Sequence, residues 1–105
     1  MLFRSGDTML CLKKISPTRL VKNALYAKVA EAEAAGADAD ALRTIMGKAA
    51  SKRGIFEGDV ENGEIEIGQI ASAVKSIDTV ADIFARLDRE YNERLSKIEI
   101  YARKD

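Results

Sequence analysis

The run Gly54-Ile55-Phe56-Glu57-Gly58-Asp59-Val60-Glu61-Asn62-Gly63-Glu64-Ile65-Glu66-Ile67-Gly68-Gln69-Ile70-Ala71 decides how the rest of the chain is read. Glycines at 54, 58, 63 and 68 punctuate it, and Asn62-Gly63 is a strong tight-turn pair because both residues tolerate positive φ. Beyond that turn, Ile65 and Ile67 alternate with Glu64 and Glu66, the period of two expected of an extended segment. Gly68-Gln69 then leads into Ile70, Ala71, Ala73 and Val74, a short apolar helix whose small residues allow close approach to another backbone. The stretch is therefore expected to form a short extended or hairpin segment between helices.

Upstream, Thr8-Met9-Leu10-Cys11-Leu12 is an apolar run of strand length, closed by Lys13-Lys14. Ser16-Pro17 breaks regular structure, with Pro17 favoured at the first position of a helix. From Leu20, apolar residues at Val21, Leu25 and Val29, with Ala24 and Ala30, predict a helix ending at Gly36. Asp38 or Asp40 is expected to cap a second helix carrying Leu42, Ile45 and Met46 and ending at Gly47. Downstream, Asp78 is expected to cap the longest helix, roughly Thr79 to Ala102. Its stripe is Val80, Phe84, Leu87, Tyr91, Leu95, Ile98 and Ala102. The expected fold class is thus mainly α with one short extended or hairpin segment.

The bulk composition narrows the function classes. One domain at most fits in 105 residues, and 47% apolar with 32% charged residues is globular. Seventeen basic and seventeen acidic residues give no net charge, which argues against nucleic acid as a partner. With no signal peptide and no apolar run of about 18 residues, no membrane association and a cytoplasmic location are expected. Cys11 is the sole cysteine and histidine is absent, so an internal disulfide, a CxxC pair and a Cys/His metal set are ruled out. A histidine base is ruled out too. The glycine-rich run lacks the Gly-Lys-Ser/Thr ending of a phosphate loop and any GxGxxG. The acidic cluster Asp59, Glu61, Glu64 and Glu66 lacks the ligand order of a calcium loop. Lys13, Lys14, Arg19 and Lys22 form a basic patch whose default reading is a solvated face.

Residues 1–5, Met1-Leu2-Phe3-Arg4-Ser5, differ abruptly in character from the residues after them. Leu-Phe-Arg-Ser is what a common sequencing-adapter ending encodes in one frame, so these residues are expected to be a non-native artefact, with coding sequence beginning near Gly6.

The Gly54–Ala71 run resembles the C-terminal signature of the FMN-dependent nitronate monooxygenases and type II enoyl-acyl-carrier-protein reductases. Members read Gly-Asp, a few variable residues, Gly, then an apolar stretch to Gly-Gln-Ile/Val-Ala and a Val/Ile-rich helix. Asp7-Thr8-Met9-Leu10 also matches, and Pro17-Thr18-Arg19-Leu20-Val21-Lys22-Asn23 is similar to the family's Pro-Val-Arg-x-x-Lys-Asn. The anchors lie in order from residue 6 to about 90. The resemblance implies the C-terminal part of a (β/α)8 TIM-barrel flavoenzyme, with residues 6–105 forming a single helical subdomain beside the active-site mouth. It implies FMN in the intact parent, with NADH or NADPH as candidate electron donors. The implied partners are the rest of the parent barrel and a small-molecule or acyl-carrier-protein-linked substrate. The intact parent would reduce an enoyl thioester or oxidise a nitronate, the reductase branch being the closer match. By the same resemblance, Gly68 and Gln69 are candidate cofactor-binding residues, while Glu66 and Ile67 are candidates for lining the substrate pocket. Glu66 departs from the apolar residue of some reductases, which leaves the substrate open. No residue here is expected to be catalytic, and the flavin-phosphate loops and the active-site histidine of many members have no counterpart. The chain alone is therefore expected to be inactive and to bind no flavin.

A reading from a different class is an independent helical interaction module without catalysis, whose long C-terminal helix pairs with a partner or with itself as a homodimer. For a piece of a barrel, a contiguous exposed apolar patch is expected, including some of Ile67, Ile70, Val74, Phe84 and Leu87.

Overall fold

A computed structural model describes residues 2–99 and 101–102, and all of their side chains except that of Glu99. The chain is mainly helical with a small antiparallel sheet, and it divides into two compact units, one running to Lys75 and one beginning at Ser76.

In the first unit, β1 (Thr8–Cys11) pairs antiparallel with β2 (Thr18–Val21), Met9 opposite Leu20 and Cys11 opposite Thr18. The strand at β2 replaces the helix start expected after Pro17. Leu20 and Val21 fit a helical stripe and a strand equally well over so short a span, and pairing on both sides decides between them. On its other side, Val21 N–H donates to Ile65 O at 3.0 Å and Ile67 N–H to Arg19 O at 3.1 Å, around an antiparallel bridge between Leu20 and Glu66. The extended run at 65–67 thus exists as expected, but it pairs with β2 and not with the residues before Asn62-Gly63. The β1–β2 connection carries Leu12 in the left-handed region at φ +57, a conformation costly for a non-glycine residue and held here by burial of its side chain.

α1 (Ala24–Ala34) starts later than the stripe suggested, because Asn23 is its N-cap, accepting from Tyr26 N–H at 2.9 Å. It closes through Gly36 at φ +84, with Gly36 N–H donating to Glu33 O and Ala37 N–H to Ala32 O, the paired bonds of a Schellman ending. Lys14 Nζ adds bonds to Gly36 O and Ala37 O at 3.0 and 2.7 Å, so one member of the basic patch serves the end of this helix. α2 (Ala39–Met46) begins at Asp38, which accepts from Ala41 N–H at 2.8 Å, and ends at Gly47, φ +68. Leu25 and Val29 of α1 meet Leu42 and Met46 of α2, with Cys11, Leu12, Leu20 and Ala50 completing one core. A turn of π-helix (Lys52–Phe56) and a 3-10 turn (Gln69–Ala73) flank the signature loop.

In the second unit, α3 (Val80–Glu99) ends at Glu99, short of the Ala102 expected. Its N-terminus is capped by Thr79, whose Oγ1 accepts from Asp82 N–H at 3.2 Å, and not by Asp78. Asp78 instead accepts from Arg86 Nη1 at 2.5 Å. A side-chain hydrogen bond from Ser76, with Arg86 next, holds its carboxyl below the usual range. Within this unit nothing packs on the stripe of α3, and Val80, Phe84, Leu87, Tyr91 and Ile98 are exposed, Phe84 to 68%. Among the described residues, no helix is long and apolar enough to cross a membrane.

Candidate functional site

The four candidate residues, Glu66 to Gln69, run along the open side of β2. Backbone bonds to Arg19 and Val21 fix the segment 65–67, after which Gly68, at φ −76 and ψ 160, turns the chain into the 3-10 helix. The Glu66 and Gln69 side chains are exposed and Ile67 is half-buried. Glu66, Ile67 and Gly68 line a cleft of about 460 Å³ together with Pro17, Thr18 and Arg19. Gly68 and Gln69 also line a smaller cleft of about 160 Å³, again with Arg19. All four candidates therefore gather around Arg19, a residue whose role in this site the sequence did not indicate. A larger cleft of about 590 Å³, bounded by Val21, Asn23, Ala27, Val60 and Ile65, contains none of them.

Asn23 organises the loop that leads to the site. Its Nδ2 donates to Val60 O at 2.9 Å and to Gly63 O at 2.8 Å while its Oδ1 caps α1, so both ends of the amide are engaged. The Ala24 N–H adds a bond to Glu61 O at 3.0 Å. Within the loop, Asp59 Oδ1 accepts from Asn62 N–H at 2.9 Å and Gly63 N–H donates to Asp59 O, so the chain turns over residues 59–63 with Gly58 at φ +74, and not through a positive-φ pair at Asn62-Gly63. Ser51 Oγ donates to Glu64 Oε2 just beyond it. An N-cap signal at Asn23 was available in the sequence; its reach to the loop was not.

Within the chain, close backbone approach falls at Gly54 and Gly63. A Cβ on Gly63 would lie 2.3 Å from Gly54 Cα, and one on Gly54 would lie 2.3 Å from Glu64 O. At Gly68 the nearest atom to such a Cβ is Ile70 Cγ2 at 3.9 Å, an ordinary contact, so this chain would accept a side chain there. Gly54 and Gly63 hold the loop closed.

Cys11 sits in the core behind the sheet. Burial, with Glu33 and Glu64 nearby, pushes its thiol from 9.0 up to about 11, which makes it a small core hydrophobe and a poor nucleophile at neutral pH.

The chain matches no protein-family model and no curated protein.

Proposed function

We propose that this chain is the C-terminal portion of an FMN-dependent oxidoreductase of the nitronate monooxygenase and type II enoyl-acyl-carrier-protein reductase kind. In this reading it contributes lining and a lid to an active site assembled mainly by a barrel. One observation carries the reading. The three stretches that bear the resemblance, separated by up to fifty residues, lie side by side as β1, β2 and the segment 65–67, with Asn23 of the second clamped onto the loop of the third.

The site's residues suit the edge of a flat ring. Gly68 presents a face without a side chain, and the exposed Gln69 amide beside it offers both a donor and an acceptor. These groups would contact a flavin without holding its phosphate; Glu66 and Ile67 would face the substrate. FMN, when bound, supplies the electron-pair transfer, while the protein orients the reactants and excludes water. Ile55, Phe56, Ile70 and Val74 stand exposed in and beside the same loop, as they would if a barrel surface covered them.

The exposed apolar stripe that α3 carries within its own unit favours a second reading, a helical interaction module that pairs with a partner or a second copy. Reading the genomic frame upstream of Gly6 separates the two. The oxidoreductase reading requires a continuous frame encoding alternating strands and helices with phosphate-binding glycines. A ribosome-binding site and a start codon at Met1 would leave the module.

A further inference from the structure

Asn62-Gly63 is the pair in this chain most open to a spontaneous covalent change, because glycine sets no side chain beside its own nitrogen. In that change the Gly63 nitrogen gives up its proton and attacks the side-chain carbonyl carbon of Asn62. A new C–N bond closes a five-membered succinimide, and the side-chain nitrogen leaves as ammonia. Water then opens the ring at either carbonyl. One opening gives aspartate, and the other gives isoaspartate, in which the main chain runs through the side chain. The two other asparagines, Asn23 and Asn92, precede Ala24 and Glu93, whose side chains hinder the same attack.

The closed loop exposes one partner of this reaction and locks the other. Asn62 is exposed to water, whereas Gly63 is buried. Gly63 N–H donates to Asp59 O at 2.9 Å, and Gly63 O accepts from Asn23 Nδ2 at 2.8 Å. The Gly54 backbone lies so near that a Cβ on Gly63 would run into Gly54 Cα. Ring closure swings the peptide plane between Asn62 and Gly63, which breaks the bond to Asp59 and lifts Gly63 off its neighbour. The reaction therefore waits on local opening of the loop.

Neither product fits the closed loop. Isoaspartate adds one atom to the main chain just before Gly63, where backbone packs on backbone without slack. Aspartate keeps the length but sets a second carboxylate beside that of Asp59, whose Oδ1 lies 3.5 Å from Asn62 Nδ2. Like charges at that spacing repel, and Glu61 and Glu64 adjoin them in the chain.

We propose that Asn62 is a deamidation site gated by the loop. It survives while Asn23 and Gly54 hold the loop shut, it converts once the loop opens, and its products keep the loop from closing again. An opening is thereby recorded irreversibly in the segment that leads to residues 65–67 and their pairing with β2. The site is independent of flavin binding and of the oxidoreductase reading.

The full 105-residue chain is held at mildly alkaline pH in buffer and in urea, and peptide mass spectrometry that resolves isoaspartate follows its three asparagines. In urea Asn62 is expected to convert first, with isoaspartate as the major product. In buffer its conversion should be at least about tenfold slower, and Asn23→Ala should speed it there by at least about fivefold. The unaltered chain gives a second readout: in a series of sub-denaturing urea concentrations, Gly63 amide exchange and Asn62 conversion should rise in proportion. The purified isoaspartate form, returned to buffer, should exchange its Gly63 amide at least about tenfold faster than the unconverted chain. Conversion of Asn62 as fast in buffer as in urea would overturn the gate. Gly63 protection unchanged in the isoaspartate form would overturn the claim that the loop cannot close again.

Discussion

Replacing Gly63 by alanine is the most exacting perturbation of the loop. The new Cβ would sit 2.3 Å from Gly54 Cα, 2.4 Å from Gly54 N and 2.5 Å from Asp59 O. Ordinary contact begins at 3.4 Å, so the backbones must part by about 1 Å, and no flexible side chain is available to yield. Overpacking typically costs about 1–3 kcal/mol, and backbone against backbone belongs at the upper end. Opening the loop also breaks the Asn23 bonds to Val60 O and Gly63 O, worth about 1 kcal/mol each. The combined loss is roughly 3–5 kcal/mol, comparable to the whole stability that a single small core supplies. Urea denaturation monitored by circular dichroism measures it. Gly68→Ala is the control, because its Cβ meets nothing nearer than 3.9 Å and its φ of −76 suits alanine; its stability should change by less than about 0.5 kcal/mol. A Gly63→Ala protein as stable as Gly68→Ala would refute the close-approach account.

Three further outcomes are expected. Asn23→Ala should cost about 2–4 kcal/mol, because a cap and two loop bonds go together. Asn23→Asp keeps the cap but sets a carboxylate against two carbonyl oxygens, so it should be no better; near-wild-type stability for Asn23→Asp would show that the loop bonds contribute nothing. The Cys11 thiol, raised from 9.0 to about 11, adds stability below pH 9 that is lost as pH rises toward 11, so Cys11→Ala should flatten the alkaline decline of the unfolding midpoint measured by circular dichroism. If the chain belongs to a flavoenzyme as proposed, Gly68→Val in the intact protein should lower turnover more than it lowers stability, since a branched side chain would stand where the proposal puts the flavin edge; unchanged kinetics with full flavin content would make Gly68 only the start of the 3-10 helix.

Much of the fold was legible where local chemistry decides it. Asp38, Gly36 and Gly47 mark helix boundaries through groups that act within a turn, and the stripe of α3 is visible in its spacing. The misreadings share a cause. Thr18–Val21 became a strand because β1 and residues 65–67 pair with it from both sides, a choice made by partners distant in sequence. Thr79 displaced Asp78 as the cap because Arg86 engages the Asp78 carboxylate. The candidate residues Glu66 to Gln69 were identifiable from the motif, but Arg19 joined them only through the sheet, and the clamp from Asn23 spans some forty residues. Close approach at Gly54 and Gly63 is likewise a property of folded backbone, which glycine spacing by itself does not locate.

The proposal that this chain works as part of a flavoenzyme can be decided by recovering the native protein from its source cells with an antibody raised against residues 80–98, then measuring its mass and flavin content together. A yellow polypeptide well above 11.5 kDa carrying one FMN per chain is expected. A colourless species of 11.5 kDa would contradict it.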